Sequence, residues 1–206
     1  MKQSGIRAFF VLPQALAAEV RTAAIAFALL TAIGFIMASL WPDSVKPLLS
    51  LFTEAAASIG LYDVDQTALM ITILSNNLFS LLVVIASGLI PFLHLPALSL
   101  GVNAMLIGGL GAYYQQSGLG IPAYLAGTLP HGITELTALS ISCAAGLYLC
   151  RATTYAATGR VGAKTVAQTL SICLRAYVHW VVPLLTVSAF LEAFATPLLL
   201  NLFLPA

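Results

Sequence analysis

The sequence predicts an all-α, polytopic helical membrane protein with about five transmembrane helices and one or two amphipathic interfacial helices. Hydrophobic residues make up 60% of the 206 residues and charged residues only 7%, against about 45–50% and about 25% in an ordinary soluble domain. Long uncharged runs recur along the chain, each of a length that crosses a hydrocarbon core of about 30 Å. The few charged side chains cannot coat a water-soluble surface, so a soluble fold is excluded.

The charges, cysteines and motifs of the sequence narrow the possible classes of protein further. The net charge is +1, and no basic stripe with interleaved aromatic residues is present, so nucleic acid is not a predicted partner. The odd set of Cys143, Cys150 and Cys173 lies in or beside apolar segments, which predicts packing residues and not a disulfide framework. Inspection finds no zinc-protease, nucleophile-elbow or dinucleotide-binding motif. Whether the protein is an enzyme is left open.

The first predicted span covers residues 22–41, an uncharged run long enough to cross the membrane at about 1.5 Å per residue. It follows residues 1–20, whose scattered charges suit an interfacial helix or a cytoplasmic tail. Trp41 and Pro42 end the span with an interfacial aromatic ring and a helix breaker. The segment 42–65 then mixes acidic residues with apolar pairs, which predicts an extramembrane segment with a short surface helix.

The second predicted span, 66–90, is interrupted near its middle by two adjacent carboxamides, Asn76 and Asn77. The third, 97–115, contains Asn103. It also carries a row of small residues four apart that allows a neighbouring helix to approach closely, namely Ala104, Gly108 and Ala112.

The fourth predicted span, 130–150, begins at Pro130. Proline is tolerated at the first helical position because its missing N–H would be unpaired there anyway. Residues 120–128 are then a half-helix or re-entrant segment ahead of this span. Protein or water must form hydrogen bonds with the backbone of such a segment. A second row of small residues favours helix association within the span, namely Ala138, Ser142 and Gly146.

A second polar segment, 151–175, precedes the fifth predicted span, 177–203. The polar segment has an amphipathic pattern in its second half. Pro183 and Pro197 bend the fifth span, and Glu192 lies well within it. All five spans belong to one integral membrane domain, 1–206.

The distribution of basic residues predicts the orientation, because short cytoplasmic loops carry an excess of lysine and arginine. Five spans and a cytoplasmic N-terminus place seven of the eight basic residues inside, and only Lys46 outside. The seven are Lys2, Arg7, Arg21, Arg151, Arg160, Lys164 and Arg175. We therefore expect a multi-pass protein of the inner (cytoplasmic) membrane, with segment 151–175 cytoplasmic and segment 42–65 and the C-terminus external.

His131 and Glu135 are the leading candidates for a functional site. They lie four residues apart, hence on one helical face, and an ionisable residue within a span is a functional hypothesis by default. The spacing suits a metal pair, a proton relay, or a histidine that keeps the glutamate ionised. The alternative is a histidine at the wet interface beside a glutamate stabilised by the helix dipole. The topology favours a pocket at the external end of the fourth span.

Four further polar residues within the spans are candidates for the same site. Asn76 and Asn77 point in directions about 100° apart on a helix, so one amide is free to reach Glu135 or Glu192 while the other meets a second neighbour, including a twin subunit. Asn103 is a candidate on the same grounds, with structural interhelical bonding as the alternative for all three asparagines. Glu192 needs a partner wherever it lies in the membrane.

These residues also carry a resemblance to a known family. Asn76-Asn77 in one span, Gly101 and Asn103 in the next, and Pro130-His131-Gly132 with Glu135 opening a further span resemble the stage II sporulation protein M family of integral membrane proteins. The resemblance covers about residues 66–150. It implies a small multispan bacterial or archaeal protein. The family's namesake works in engulfment during sporulation as a membrane anchor for peptidoglycan-degrading partners.

Two functional hypotheses follow. The first is a scaffold or complex subunit for envelope remodelling, with the bilayer, envelope proteins and a second copy of the chain as partners. The second is a polar intramembrane site that binds a small solute or a divalent metal such as zinc, as in a membrane hydrolase or transporter. Histidine and carboxylate groups suit such ions, and His131 and Glu135 are the candidate metal ligands.

Overall fold

The computed structural model describes residues 14–44, 47, 50, 65–200 and 202–203, and over these ranges the chain forms only helices and turns. Within them, five helices are long and apolar enough to cross a membrane, which confirms the predicted fold class. They are α1 (Gln14–Leu40), α2 (Gln66–Ser87), α3 (Leu95–Gln116), α4 (Gly120–Ala157) and a fifth, composite helix. The composite helix joins α5 (Ala163–Ala176), a first π-helical segment (Tyr177–Val181), α6 (Val182–Phe190), a second π-helical segment (Leu191–Ala195) and α7 (Thr196–Leu200).

Parts of the sequence interpretation lie outside the described residues. They include most of segment 42–65, with its predicted surface helix, and the basic residues Lys2, Arg7 and Lys46. A short 3₁₀ turn at Pro42–Ser44 follows α1. The start of α2 is capped by Asp65, whose carboxylate accepts the backbone N–H groups of Thr67 and Ala68 at 2.7 and 2.8 Å.

Helix α4 is longer than predicted and begins earlier. It runs for 38 residues from Gly120 to Ala157, and Pro130 lies inside it, so the prediction that Pro130 opens the fourth helix is wrong. Residues 120–128 form the first turns of α4 and not a separate half-helix. An internal proline frees one backbone carbonyl, and helices in membranes tolerate this because neighbouring groups satisfy it. His131 is consequently about three turns inside the helix, which also corrects its predicted position at the helix end.

Helix α4 forms the centre of the bundle and contacts α1, α2, α3 and the composite helix. Its middle is buried almost all round, from Ala138 to Gly146. The outward faces of the surrounding helices are apolar, with Leu29 of α1 61% exposed and Phe79 of α2 69% exposed. This pattern of small residues inside and large apolar residues outside suits a lipid environment.

Both rows of small residues pack within the chain. A β-carbon built on Gly108 would lie 2.1 Å from the carbonyl oxygen of Thr31, so α3 lies directly against the backbone of α1. A β-carbon built on Gly146 would lie 2.8 Å from the carbonyl oxygen of Val84, so α4 also lies against the backbone of α2. The two rows therefore hold the bundle itself together, and neither is left to bind a second copy.

The helix ends sort into two sides of the bundle. Arg151 near the end of α4 is ion-paired with Glu19 near the start of α1. The N–H of Phe92, between α2 and α3, donates to the hydroxyl of Thr154 at 3.0 Å. At the opposite side, the Gln116 side chain donates to the carbonyl of Ala38 at 3.1 Å. Successive long helices therefore alternate in direction.

A candidate polar site within the bundle

Three ionisable side chains meet between α4 and the composite helix. His131 and Glu135 come from α4, Glu192 comes from the second π-helical segment, and one ligand atom from each lies within 4.8 Å of the other two. All three residues are partly buried. Histidine and glutamate meet because they are four apart on one helical face, and Glu192 reaches them because the composite helix packs along α4.

The second π-helical segment sets the direction of three polar residues spaced by four, Ser188, Glu192 and Thr196. In a regular α-helix, Thr196 would lie roughly 80° around the axis from Ser188. Here the backbone N–H of Thr196 donates to the carbonyl of Leu191, five residues back. This wider turn brings the three side chains closer to one line. Such segments often occur at functional sites, and this one faces His131 and Glu135.

His131 is held at three points. Its ring nitrogen Nδ1 lies 3.1 Å from the hydroxyl oxygen of Thr196. Its backbone carbonyl accepts hydrogen bonds from the hydroxyls of Thr134, at 2.8 Å, and of Ser188, at 3.2 Å. The ring and the backbone are thus both tied to the composite helix, which fixes the position of the imidazole.

Asn77 adds a fourth polar group from α2. Its side-chain amide donates to Oε1 of Glu135 at 3.4 Å, a long hydrogen bond. Asn77 lies at the middle of α2, so the contact is roughly half-way along a helix of about 33 Å. The cluster therefore draws on α2, α4 and the composite helix, deep within the bundle.

The structure brings together four of the six predicted site residues and leaves two apart. Asn77, His131, Glu135 and Glu192 converge, whereas Asn76 and Asn103 have exposed side chains. The Asn103 amide donates to the carbonyl of Ser99 on its own helix, at 2.8 Å.

Sequence reasoning missed Ser188 and Thr196, both of which contact His131. Hydroxyl residues are common in membrane helices and usually bond to their own backbone, so their presence alone is a poor signal. Their spacing of four on either side of Glu192 was the available signal.

Two of the three ionisable groups in the cluster are carboxyls, so the cluster has a net negative charge whenever both are ionised. Within the part of the chain that the structure describes, neither Glu135 nor Glu192 forms an ion pair with a lysine or arginine. Two carboxylates this close repel each other, and low dielectric strengthens the repulsion. The site therefore favours a ligand that compensates this charge, either a metal cation or a proton.

Five apolar helices around a cluster of ionisable groups define a polytopic membrane protein with a polar site inside its helical bundle. The sequence profile of the family Stage II sporulation protein M matches residues 23–197. The chain belongs to that family, as the motif resemblance indicates. No curated protein and no solved structure matches the chain.

Proposed function

We propose that this protein binds a divalent metal cation through His131, Glu135 and Glu192. The observation that carries the proposal is the convergence of one imidazole and two carboxylates within 4.8 Å. Imidazole and carboxylate oxygen are both ligands of Zn²⁺, and three protein ligands with a fourth position for water or substrate are typical of catalytic zinc sites. Helix α4 supplies two of the three proposed ligands, and Glu192 of the composite helix supplies the third.

The charge balance supports the same proposal. One divalent cation neutralises both carboxylates in a region where unpaired charges are costly. The hydrogen bonds from Asn77 to Glu135 and between Thr196 and His131 resemble the outer contacts that orient metal ligands.

The test is zinc binding by purified protein in lipid nanodiscs. After treatment with a chelator, we expect wild type to bind about one zinc ion by isothermal titration calorimetry and elemental analysis. Removal of a ligand in His131→Ala, Glu135→Gln or Glu192→Gln should weaken binding by at least about 10-fold, since even loss of an outer contact costs that much. His94→Asn is the matched control, because His94 lies in the loop between α2 and α3 with a φ of 46°, which asparagine tolerates. Equal binding by all five proteins, or none by wild type, contradicts the proposal.

A second function, a scaffold for envelope remodelling, is supported by the family and by Asn76. The role of the family's namesake as a membrane anchor suggests an envelope partner. Asn76 is exposed near the middle of α2, where a carboxamide facing hydrocarbon costs about 2 kcal/mol or more without a partner. Because both rows of small residues are used within the chain, the α2 face around Asn76 is the contact that we propose for a homodimer in the inner membrane.

Single-molecule photobleaching in nanodiscs or liposomes tests the dimer. Wild type should bleach in two steps, and Asn76→Leu should shift the population to one step, because leucine meets lipid without a partner. Asn103→Leu is the control, since the Asn103 amide already has an acceptor on its own helix. A monomeric wild type, or a dimer that Asn76→Leu leaves intact, removes this interface.

A further inference from the structure

The contact between His131 and Thr196 bears on which ring nitrogen of His131 is available to a ligand. A neutral imidazole carries its proton on one nitrogen only, and the group bonded to the other nitrogen decides which tautomer is present. Nδ1 of His131 lies 3.1 Å from Oγ1 of Thr196. The donor in this contact is therefore either the ring N–H or the threonine hydroxyl.

The second contact of Thr196 distinguishes these two arrangements. Its hydroxyl lies 3.2 Å from the carbonyl oxygen of Leu191 and donates to it. A threonine hydroxyl has one proton and two lone pairs, so a hydroxyl that donates to Leu191 is left to accept from His131. Bonds from a helical threonine to a carbonyl of the preceding turn are common. Here the π-helical segment makes the acceptor the residue five back instead of four.

We propose that Thr196 is a positioning residue that holds the proton of His131 on Nδ1 and leaves the lone pair of Nε2 for the cation shared with Glu135 and Glu192. The chain of donors runs from Nδ1–H of His131 to Oγ1 of Thr196, and from Oγ1–H to the carbonyl of Leu191. This inference rests on the proposed cation site for its functional meaning. The tautomer of His131 is measurable without any metal.

The π-helical segment contributes to this arrangement through the carbonyl of Leu191, which accepts hydrogen bonds from Thr196. The backbone N–H and the hydroxyl of Thr196 both donate to Leu191, so the segment that directs Glu192 into the site also directs the threonine proton away from it. The same π-helical segment thereby directs one ligand, Glu192, into the site and sets the tautomer of another, His131.

The direct test is ¹⁵N NMR of histidine-labelled, metal-free protein, with the His131 signals assigned by their loss in His131→Asn. We expect a protonated Nδ1 and an unprotonated Nε2 in wild type and in Thr196→Ser, which keeps the hydroxyl. Thr196→Val, which removes the acceptor, should change the tautomer population. Thr186→Val is the matched control, because Thr186 is exposed on the same composite helix and its hydroxyl donates to the carbonyl of Val182 on its own helix. A wild-type His131 with its proton on Nε2, or a tautomer that Thr196→Val leaves unchanged, overturns the inference.

Zinc affinity provides the functional readout. Thr196→Val should weaken binding by about 10–100-fold, the usual effect of removing an outer contact of a metal ligand, whereas Thr196→Ser and Thr186→Val should bind as wild type does. If Thr196→Val binds zinc with wild-type affinity, the positioning role is wrong even though the cation site stands. If wild type binds no zinc, the proposed function fails, and the NMR measurement still decides the tautomer.

Discussion

At the scale of single residues, two adjacent asparagines have different environments. Asn77 turns inward and donates to Glu135, whereas Asn76 faces outward from the same turn of α2. Neighbouring side chains on a helix point in directions about 100° apart. This difference places Asn77 beside the polar cluster and Asn76 on the outer surface. The amide of Asn77 donates to the Glu135 carboxyl group, and from this contact we expect it to orient that group.

We expect Asn77→Ala to weaken zinc binding by about 10-fold, since the carboxylate loses the partner that orients it. Titration calorimetry of the variant beside wild type measures the change. Asn103→Ala should bind as wild type does, because its amide is bonded to Ser99 and lies apart from the site. An Asn77→Ala variant with undiminished affinity would show that this contact does not orient the carboxylate.

The membership of the site was only partly predictable from the sequence. Ionisable residues within apolar runs stand out in the sequence, because placing them in a membrane costs free energy. His131, Glu135 and Glu192 were therefore identifiable. The inward turn of Asn77 and the outward turn of Asn76 depend on the rotation of α2 about its axis, which packing determines. The position of Thr196 depends on a π-helical segment that no residue type in Leu191–Ala195 indicates.

At the scale of helices, glycine contacts set the distances between α1, α2, α3 and α4. Gly108 and Gly101 lie on the same helix, yet only the first is pressed against another backbone. A β-carbon on Gly101 would lie 3.9 Å from the side chain of Leu30, an ordinary contact. The small residues thus act at particular crossings and not along the whole helix.

Gly108→Ala should therefore destabilise the protein, since its new methyl group would meet the α1 backbone at Thr31. Overpacking of this kind costs about 1–3 kcal/mol. Thermal unfolding in detergent measures it as a lower melting temperature. Gly101→Ala, on the same helix, should leave that temperature unchanged or raise it, because alanine favours helix more than glycine. Equal behaviour of the two variants would contradict the close crossing of α1 and α3.

The element boundaries show where the sequence interpretation was limited. Apolar runs locate spans well because a bilayer demands about 20 apolar residues. They do not locate helix ends, because helices continue past the hydrocarbon core into water. Proline suits the first turn of a helix, yet Pro130 lies inside α4, which extends from Gly120 to Ala157 over about 57 Å.

At the scale of the whole molecule, the charge distribution and the contacts between helix ends support one proposed orientation. Arg21 and Arg151 lie on the same side of the bundle, since Arg151 pairs with Glu19 beside Arg21. Arg160, in the turn after α4, and Lys164, at the start of α5, follow on that side. By the positive-inside rule, we propose that this side is cytoplasmic.

The orientation predicts which positions react with a membrane-impermeant thiol reagent applied outside intact cells. The native cysteines Cys143, Cys150 and Cys173 are buried, so single new cysteines are readable above a low background. A cysteine at Ser117, which follows α3, should be labelled from outside. A cysteine at Thr158, which follows α4 and is exposed, should be labelled only after the cells are opened. The reverse pattern would invert the proposed topology.

The division of the site between α4 and the composite helix has a consequence for biogenesis. N-terminal parts of a chain form first during synthesis, so we expect His131 and Glu135 to enter the bilayer before Glu192 and Thr196 do. Until the composite helix inserts, α4 carries an ionisable pair without its partners from that helix, which is unfavourable in a membrane. The composite helix, which is synthesised after α4, thus completes the polar cluster, and we expect chains truncated before Ser188 to be less stable in the membrane.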